Sequence, residues 1–408
     1  MPKVALLCKT LNNVNPNHNK TVKIQFQIYN LHFFMTHLSI TPLAQWEVVT
    51  ELTTPLFISG PCSAETEEQV LETCIRLAKK PYVKVLRAGI WKPRTRPNSF
   101  EGIGSIGLKW LKEAGRQTGL PVMTEVANVK HVYEALRMGI DILWIGARTT
   151  VNPFAVQEIA DALRGVDIPV MVKNPVNPDL ELWIGAFERL NHAGITKIAA
   201  IHRGFSAYGK NKYRNRPQWE IPIELMRRIP DLPVICDPSH ICGNRTLLQE
   251  VAQKAMDLNF GGLMIESHIC PGKALSDAQQ QIEPEIYHQL IENLTLRKTT
   301  STDSVFLHNL EELREIINEF DDKILELIAQ RMKIAEDIGH YKKANGITIL
   351  QPNRWDEIIH TRSKHGKELG LSEEFVSALL NAIHKESIQH QATIMNATGS
   401  KIQPAKKG

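Results

Sequence analysis

From Pro55 to Glu266 short apolar runs alternate with longer amphipathic stretches. The runs are PLFISGPC, YVKVLRAGI, PVMTEV, ILWIGA, PVMVKN, KIAAIHRG, PVICDPSH and GGLMIES. Each is rich in Val, Ile or Leu and continuous rather than alternating, which is the pattern of parallel strands covered on both faces. Between them, stretches such as 66–80, 104–118 and 153–164 are long enough for crossover helices. Eight such units over about 240 residues predict an α/β fold, a (β/α)8 TIM barrel, ahead of a doubly wound sheet. A barrel also accounts for the polar residues at the C-terminal ends of the runs: Cys62, Arg87, Glu125, Arg148, Lys173, Arg203, His240 and Glu266. That mouth is where such a fold builds its active site.

After residue 294 the pattern changes. Residues 295–305, TLRKTTSTDSV, are polar and Ser/Thr-rich and read as a linker. Leu310, Leu313, Ile317, Phe320, Ile324, Leu327, Ile334 and Ile338 then follow heptad spacing along one helix. Arg331 lies on the same seam. Gly346 breaks that helix, Pro352 opens another near 353–366, and a third spans 372–395. One long helix and two short ones cannot enclose a core alone, so the all-α block 306–395 is expected to dimerise. The basic tail, 396–408, reads as disordered. At the other end, MPKVALLCKT makes a poor signal peptide. Residues 1–34 lack periodicity and read as a disordered extension, or as translated sequence upstream of a true start at Met35. The barrel domain is therefore expected over 35–294.

At 408 residues two domains are the natural expectation. A net charge of +4 is slight for this length and does not argue for nucleic acid. No apolar run approaches membrane-spanning length. Six cysteines without framework spacing point to a reducing cytoplasm.

The candidate chemistry clusters at the strand exits. Glu266 ends FGGLMIE, and Asp277 follows a Pro-Gly turn in MIESHICPGKALSDAQQQI. Cys62 and His240 end two other runs. A thiol, an imidazole and two carboxylates suit one divalent ion per barrel: Mn²⁺ first, with Fe²⁺, Co²⁺ or Zn²⁺ as alternatives. Cys74, Cys236 and Cys242 read as small buried hydrophobes, and His268 carries no assigned role. Arg87, Lys92, Arg148, Lys173 and Arg203 surround the expected mouth. With no acidic partners expected nearby they would repel one another, so a polyanionic ligand is the natural neutraliser.

Taken in order, GPCSAE, LRAGIWKPRT, MTEV, IGAR, VMVKN, HRG, DPSH and MIESH…ALSDAQQ resemble 3-deoxy-D-arabino-heptulosonate 7-phosphate (DAHP) synthase. The likeness is to the form related to 3-deoxy-octulosonate 8-phosphate synthases, and it covers roughly residues 40–294. It implies that phosphoenolpyruvate and erythrose 4-phosphate give DAHP and phosphate. By motif, Arg148, Lys173 and Arg203 would hold the phosphate and carboxylate of phosphoenolpyruvate, with Arg87 and Lys92 beside them. The stretch Lys92, Pro93, Arg94, Thr95 would hold erythrose 4-phosphate, with Arg94 and Thr95 on its phosphate. The ion on Cys62, His240, Glu266 and Asp277 would polarise the aldehyde. Glu125 would orient a water, and Lys92 would protonate the new alkoxide.

In the helical block a guanidinium on a core face is costly unless paired. Lys342 lies eleven residues after Arg331, about 20° around an ideal helix, so the two cations share a face. Arg314 precedes Arg331 by seventeen residues, about 100° off that face, and is better placed to arrive from a partner's helix. Residues 306–395 resemble the all-helical chorismate mutases, intertwined dimers that rearrange chorismate to prephenate. The resemblance implies cationic roles for Arg314, Arg331, Lys342 and Arg354, and a polar pair in Ser387 and Gln391. Such a site grips two carboxylates in a compact conformer and places cations where ether-oxygen charge develops. Trp355 stands where that family usually has Glu, and Gln351 where it has an acid, so no hydroxyl-binding carboxylate is assigned.

The fusion suggests regulation: chorismate or prephenate in the helical dimer would change its docking on the barrels and lower synthase activity. The expected assembly is a homodimer through the helical block, or a tetramer built on it. Two alternatives stay open. The barrel could be a 3-deoxy-octulosonate 8-phosphate synthase acting on arabinose 5-phosphate, or the helical block a catalytically silent sensor.

Overall fold

The computed structural model describes residues 37–49, 52, 55–92, 99–209, 212–298 and 300–397. The expected extension 1–34, nearly all of the tail, and Pro93, Arg94 and Thr95 lie outside the described residues. The chain divides into two compact units at residues 299 and 300.

Among its described residues the first unit contains eight strands: β1 Leu56–Gly60, β2 Val85–Arg87, β3 Val122–Val126, β4 Ile142–Ile145, β5 Val170–Lys173, β6 Ile198–His202, β7 Val234–Cys236 and β8 Gly262–Glu266. They pair in sequence order, and β1 closes on β8 in parallel. The continuous apolar runs have the expected cause, since nearly every strand residue is buried. One face of the ring packs against the surrounding helices through residues such as Phe57, Leu86, Leu143, Val172 and Leu263. The other face fills the barrel with Leu56, Ile58, Val85, Met123, Trp144, Met171, Ile201 and Met264. Trp46 and Val49 join that inner cluster from the segment before β1. Leu43 of this segment lies beside Gly261, at the start of β8, so the segment closes the N-terminal end of the barrel.

Helices follow where the sequence expects them, including Glu67–Leu77, Ile106–Thr118 and Pro153–Ala162. Their starts are chemically marked: the side chain of Thr66 accepts from Gln69 N, and Asn152 accepts from the N–H groups of Phe154 and Ala155. Most strands end earlier than their apolar runs. Cys62 lies just past β1, and His240 sits on a short helix, Pro238–Cys242, capped by Asp237. Pro238 is compatible with the first helical position and ends strand geometry there.

Among the described residues the second unit comprises three helices: Ser304–Ala344, Pro352–Glu368 and Glu373–Asn396. Asp303 and Ser372 cap the first and third. The long helix buries Met332, Ala335 and Gly339, and Gly339 lies against Gln391 of the third helix. Most of the heptad seam finds no cover among the described residues. Leu313, Ile317, Phe320, Ile324, Leu327, Ile334 and Ile338 all remain exposed. Among the described residues no helix is long and apolar enough to cross a membrane.

Candidate active site

The register of β1 on β8 pairs Gly60 with Glu266, which brings Cys62 beside that carboxylate. Cys62 Sγ, a Glu266 oxygen and an Asp277 oxygen lie within 4.8 Å of one another. Cys62 Sγ is 3.2 Å from Asp277 Oδ2. His240 stands at the edge of this group, its Nε2 3.8 Å from Glu266 Oε1. Its Nδ1 is 2.8 Å from Asp237 Oδ2, close but not aligned as a hydrogen bond. Asp277 adopts φ +50°, a left-handed conformation that Asp tolerates better than most residues.

Burial pushes the Cys62 thiol up to about 12, and Glu266 adds to the effect. Burial also lowers the pKa of His240, against the pull of Asp237, which favours the neutral imidazole. Burial works the other way on the carboxylates, but the cations prevail. His240 when protonated, and Arg87, hold Glu266 below its usual range, and His240 when protonated, with Arg214, does the same for Asp277. Two ionised carboxylates, a neutral imidazole and a thiol whose proton a cation can displace form a donor set that fits one divalent transition ion.

Above this group is a cavity lined by Lys92, Glu125, Ala147, Arg148, Lys173, Arg203, Arg214, His240 and Asp277. Lys92 Nζ is 2.9 Å from Cys62 Sγ. Glu125 Oε2 accepts from Trp144 Nε1 at 3.0 Å. Arg203, buried, donates from Nη1 to Asn215 Oδ1 at 2.8 Å. Burial, with Arg214 and Arg148 nearby, lowers its pKa to about 10.

The expectation that the five cations lack acidic partners fails for two of them. Arg87 Nη1 pairs with Glu266 Oε1 at 3.0 Å, and Lys173 Nζ with Asp237 Oδ2 at 2.8 Å. Both pairs are buried, where a charge removed from water needs a counter-charge. Arg87 does not line the cavity. It lies below the floor, Nη2 donating to the Cys62 carbonyl, with its guanidinium 4.8 Å from the Trp144 ring centre. Arg214, which lines the cavity, is a residue that sequence reasoning missed. It is a loop position without a hydrophobic pattern or motif to mark it.

In the helical unit Arg331 Nη1 donates to Ser387 Oγ, and Lys342 Nζ to the Ile349 carbonyl. Trp355 stacks on His384, ring centres 3.9 Å apart. Burial, then Arg331 and Lys342, lowers the pKa of His384. Gln391 is buried, and its Oε1 has no hydrogen-bond partner among the described residues. Arg314 and Arg354 do not join them. Arg314 contacts Glu311 and Arg354 contacts Glu357. Arg314 is about 25 Å along the helix from Arg331.

A closed parallel barrel with a thiol–carboxylate group beneath a cationic mouth is an arrangement suited to a (β/α)8 enzyme of anionic substrates. The chain belongs to the DAHP synthetase I family, which it matches over residues 48–302. Residues 313–392 match chorismate mutase type II. A phospho-2-dehydro-3-deoxyheptonate aldolase of Thermotoga maritima is 34% identical over 237 residues, 58% of this chain and 68% of that protein. A 2-dehydro-3-deoxyphosphooctonate aldolase of Desulfotalea psychrophila is 28% identical over 257 residues, 59% of this chain and 88% of the other. The crystal structure of a Thermotoga maritima DAHP synthase aligns with TM-score 0.55 and 31% identity, covering 63% of this chain and 72% of that one. A truncated form from the same organism aligns at 0.54 and 29%, covering 62% and 90%. The chain thus joins a DAHP synthase domain to a chorismate mutase domain, two enzymes of the shikimate pathway.

Proposed function

We propose that the barrel condenses phosphoenolpyruvate with erythrose 4-phosphate in a metal-dependent reaction. The observation that carries this reading is the adjacency of the Cys62–Glu266–Asp277 group to the cationic cavity. Arg148, Lys173 and Arg203 bind the phosphate and carboxylate of phosphoenolpyruvate, and Pro93, Arg94 and Thr95 hold the sugar phosphate. Arg87 supports the floor through Glu266 and the Cys62 carbonyl. Cys62, His240, Glu266 and Asp277 would hold a divalent ion, which would supply Lewis-acid polarisation of the aldehyde. Carbon 3 of phosphoenolpyruvate forms the new bond to the aldehyde carbon, and Lys92 gives a proton to the oxygen that gains charge. Glu125, fixed by Trp144, orients the water that adds at carbon 2. Phosphate then leaves with cleavage of its C–O bond.

The helical unit converts chorismate to prephenate as a dimer. Support comes from the uncovered apolar seam, where each side chain buried contributes roughly 1.5–3 kcal/mol. In such a dimer a second copy supplies Arg314 to a pocket of Arg331, Lys342, Ser387 and Gln391, with Arg354 at its edge. Prephenate or chorismate bound there lowers the synthase rate, because the ligand favours one of two arrangements of the assembly.

Assays of phosphate release with erythrose 4-phosphate and with arabinose 5-phosphate test the barrel reading. Preference for the five-carbon sugar would overturn it. Unchanged chorismate absorbance would reduce the helical unit to a sensor, and indifference of phosphate release to prephenate would remove the regulation.

A further inference from the structure

Arg214 connects the parts of the proposed metal site. It lies on the loop after β6, and that loop is tied to the short helix carrying His240. Arg214 N donates to the Cys242 carbonyl at 3.3 Å, and Asn215 N to that of Ile241 at 3.1 Å. The aliphatic stem of Arg214 lies over Gly243, where a Cβ would come within 2.5 Å of Arg214 Cβ. From there Arg214 Nη1 donates to both Asp277 Oδ1 and Gln280 Oε1, each at 2.8 Å. Gln280 is buried, and its Nε2 donates to Glu266 Oε2 at 2.7 Å. One oxygen of each carboxylate is thereby occupied. The other Asp277 oxygen faces Cys62 Sγ, and the other Glu266 oxygen, which accepts from Arg87 Nη1 at 3.0 Å, also faces His240.

We propose that Arg214 is a positioning residue for the divalent ion, fixing through Asp277 and Gln280 which carboxylate oxygens face it. The role rests on the metal reading above. A carboxylate free to rotate presents either oxygen and loses part of its preorganisation, whereas a held one does not. Arginine suits the task because its planar donors span two acceptors at once. The tie to Asp277 Oδ1 also restrains a residue in the left-handed region, where an untethered Asp would relax.

The test is a Mn²⁺ titration of the full-length, metal-stripped chain, with free Mn²⁺ read by electron paramagnetic resonance. Arg214→Met keeps the stem over Gly243, and the side chain is 46% exposed, so the fold is expected to survive. A thermal melt checks this. The expected result is a Mn²⁺ affinity lowered roughly 10- to 100-fold, with Arg214→Lys intermediate and near-normal KM for phosphoenolpyruvate at saturating Mn²⁺. Unchanged Mn²⁺ affinity in Arg214→Met overturns the role, and a raised KM beside it would make Arg214 a substrate ligand instead. If the wild-type chain takes up no more Mn²⁺ than Cys62→Ala, the metal reading itself fails and this role with it.

Discussion

Gly146 and Glu125 are fitted to each other at the mouth of the barrel. A Cβ on Gly146 would come within 2.1 Å of Glu125 Oε1, while Trp144 holds the other oxygen. The backbone of Gly146 has an ordinary φ of −73°, so space rather than conformation calls for glycine. Gly146→Ala is expected to swing the carboxylate away and lower synthase kcat by roughly 100-fold, the scale of a 1 Å misplacement. Thermal stability should change much less. A normal kcat in this variant would take the water-orienting role away from Glu125.

Chelation tests the ion itself. Incubation with a chelator is expected to abolish phosphoenolpyruvate consumption, and added Mn²⁺ to restore it. Cys62→Ala, at a buried position that accepts a small side chain, should lose more than about 100-fold in rate through loss of a ligand. Turnover that survives exhaustive chelation would rule out the Lewis-acid step.

His202 sets a pH dependence of stability. It is buried among Phe205, Trp219 and Phe260, and burial followed by Arg203 lowers its pKa to about 3, against Pro217 and Asp237. Its contribution is fully present above the unfolded value near 6.5. It is lost as pH falls from there toward 3, because only the unfolded chain takes the proton. At pH 5 the loss is about 2 kcal/mol. Urea midpoints at pH 7 and pH 5 should differ less in His202→Phe than in wild type. Identical shifts in the two proteins would show that the acid sensitivity lies elsewhere.

Mixing experiments address the helical dimer. Arg314→Ala and Arg331→Ala are each expected to lose mutase activity. After the two are unfolded together and refolded in equal amounts, half of the dimers are mixed, and each mixed dimer has one intact pocket. About one quarter of the wild-type rate should return. No recovery would mean that both arginines serve the pocket of their own chain.

The barrel was legible because eight buried parallel strands write themselves as continuous apolar runs, punctuated by Gly and Pro. The polar residue at each run's end was legible for the same reason, although Arg148 and His240 sit on short helices, Ala147–Thr150 and Pro238–Cys242, just past their strands. Ion pairing was not legible. The partners of Arg87 and Lys173 are 179 and 64 residues away, joined only by barrel closure. Arg214 and His384 were missed because their significance lies in tertiary neighbours, Asp277 and Trp355, and not in any local period. The heptad seam was read correctly as apolar, yet the face buried within the chain is that of Met332, Ala335 and Gly339.

Trp46 is a stopper made before its vessel. It precedes β1, yet its place exists only once β8 has shut the ring, and Thr41 anchors the segment to Thr196, far along the chain. Contacts so distant in sequence carry a large loop-closure cost and slow folding, so this one is expected to form late. The indole of Trp46 is therefore a built-in reporter of ring closure, and its fluorescence should settle only in the last phase of refolding.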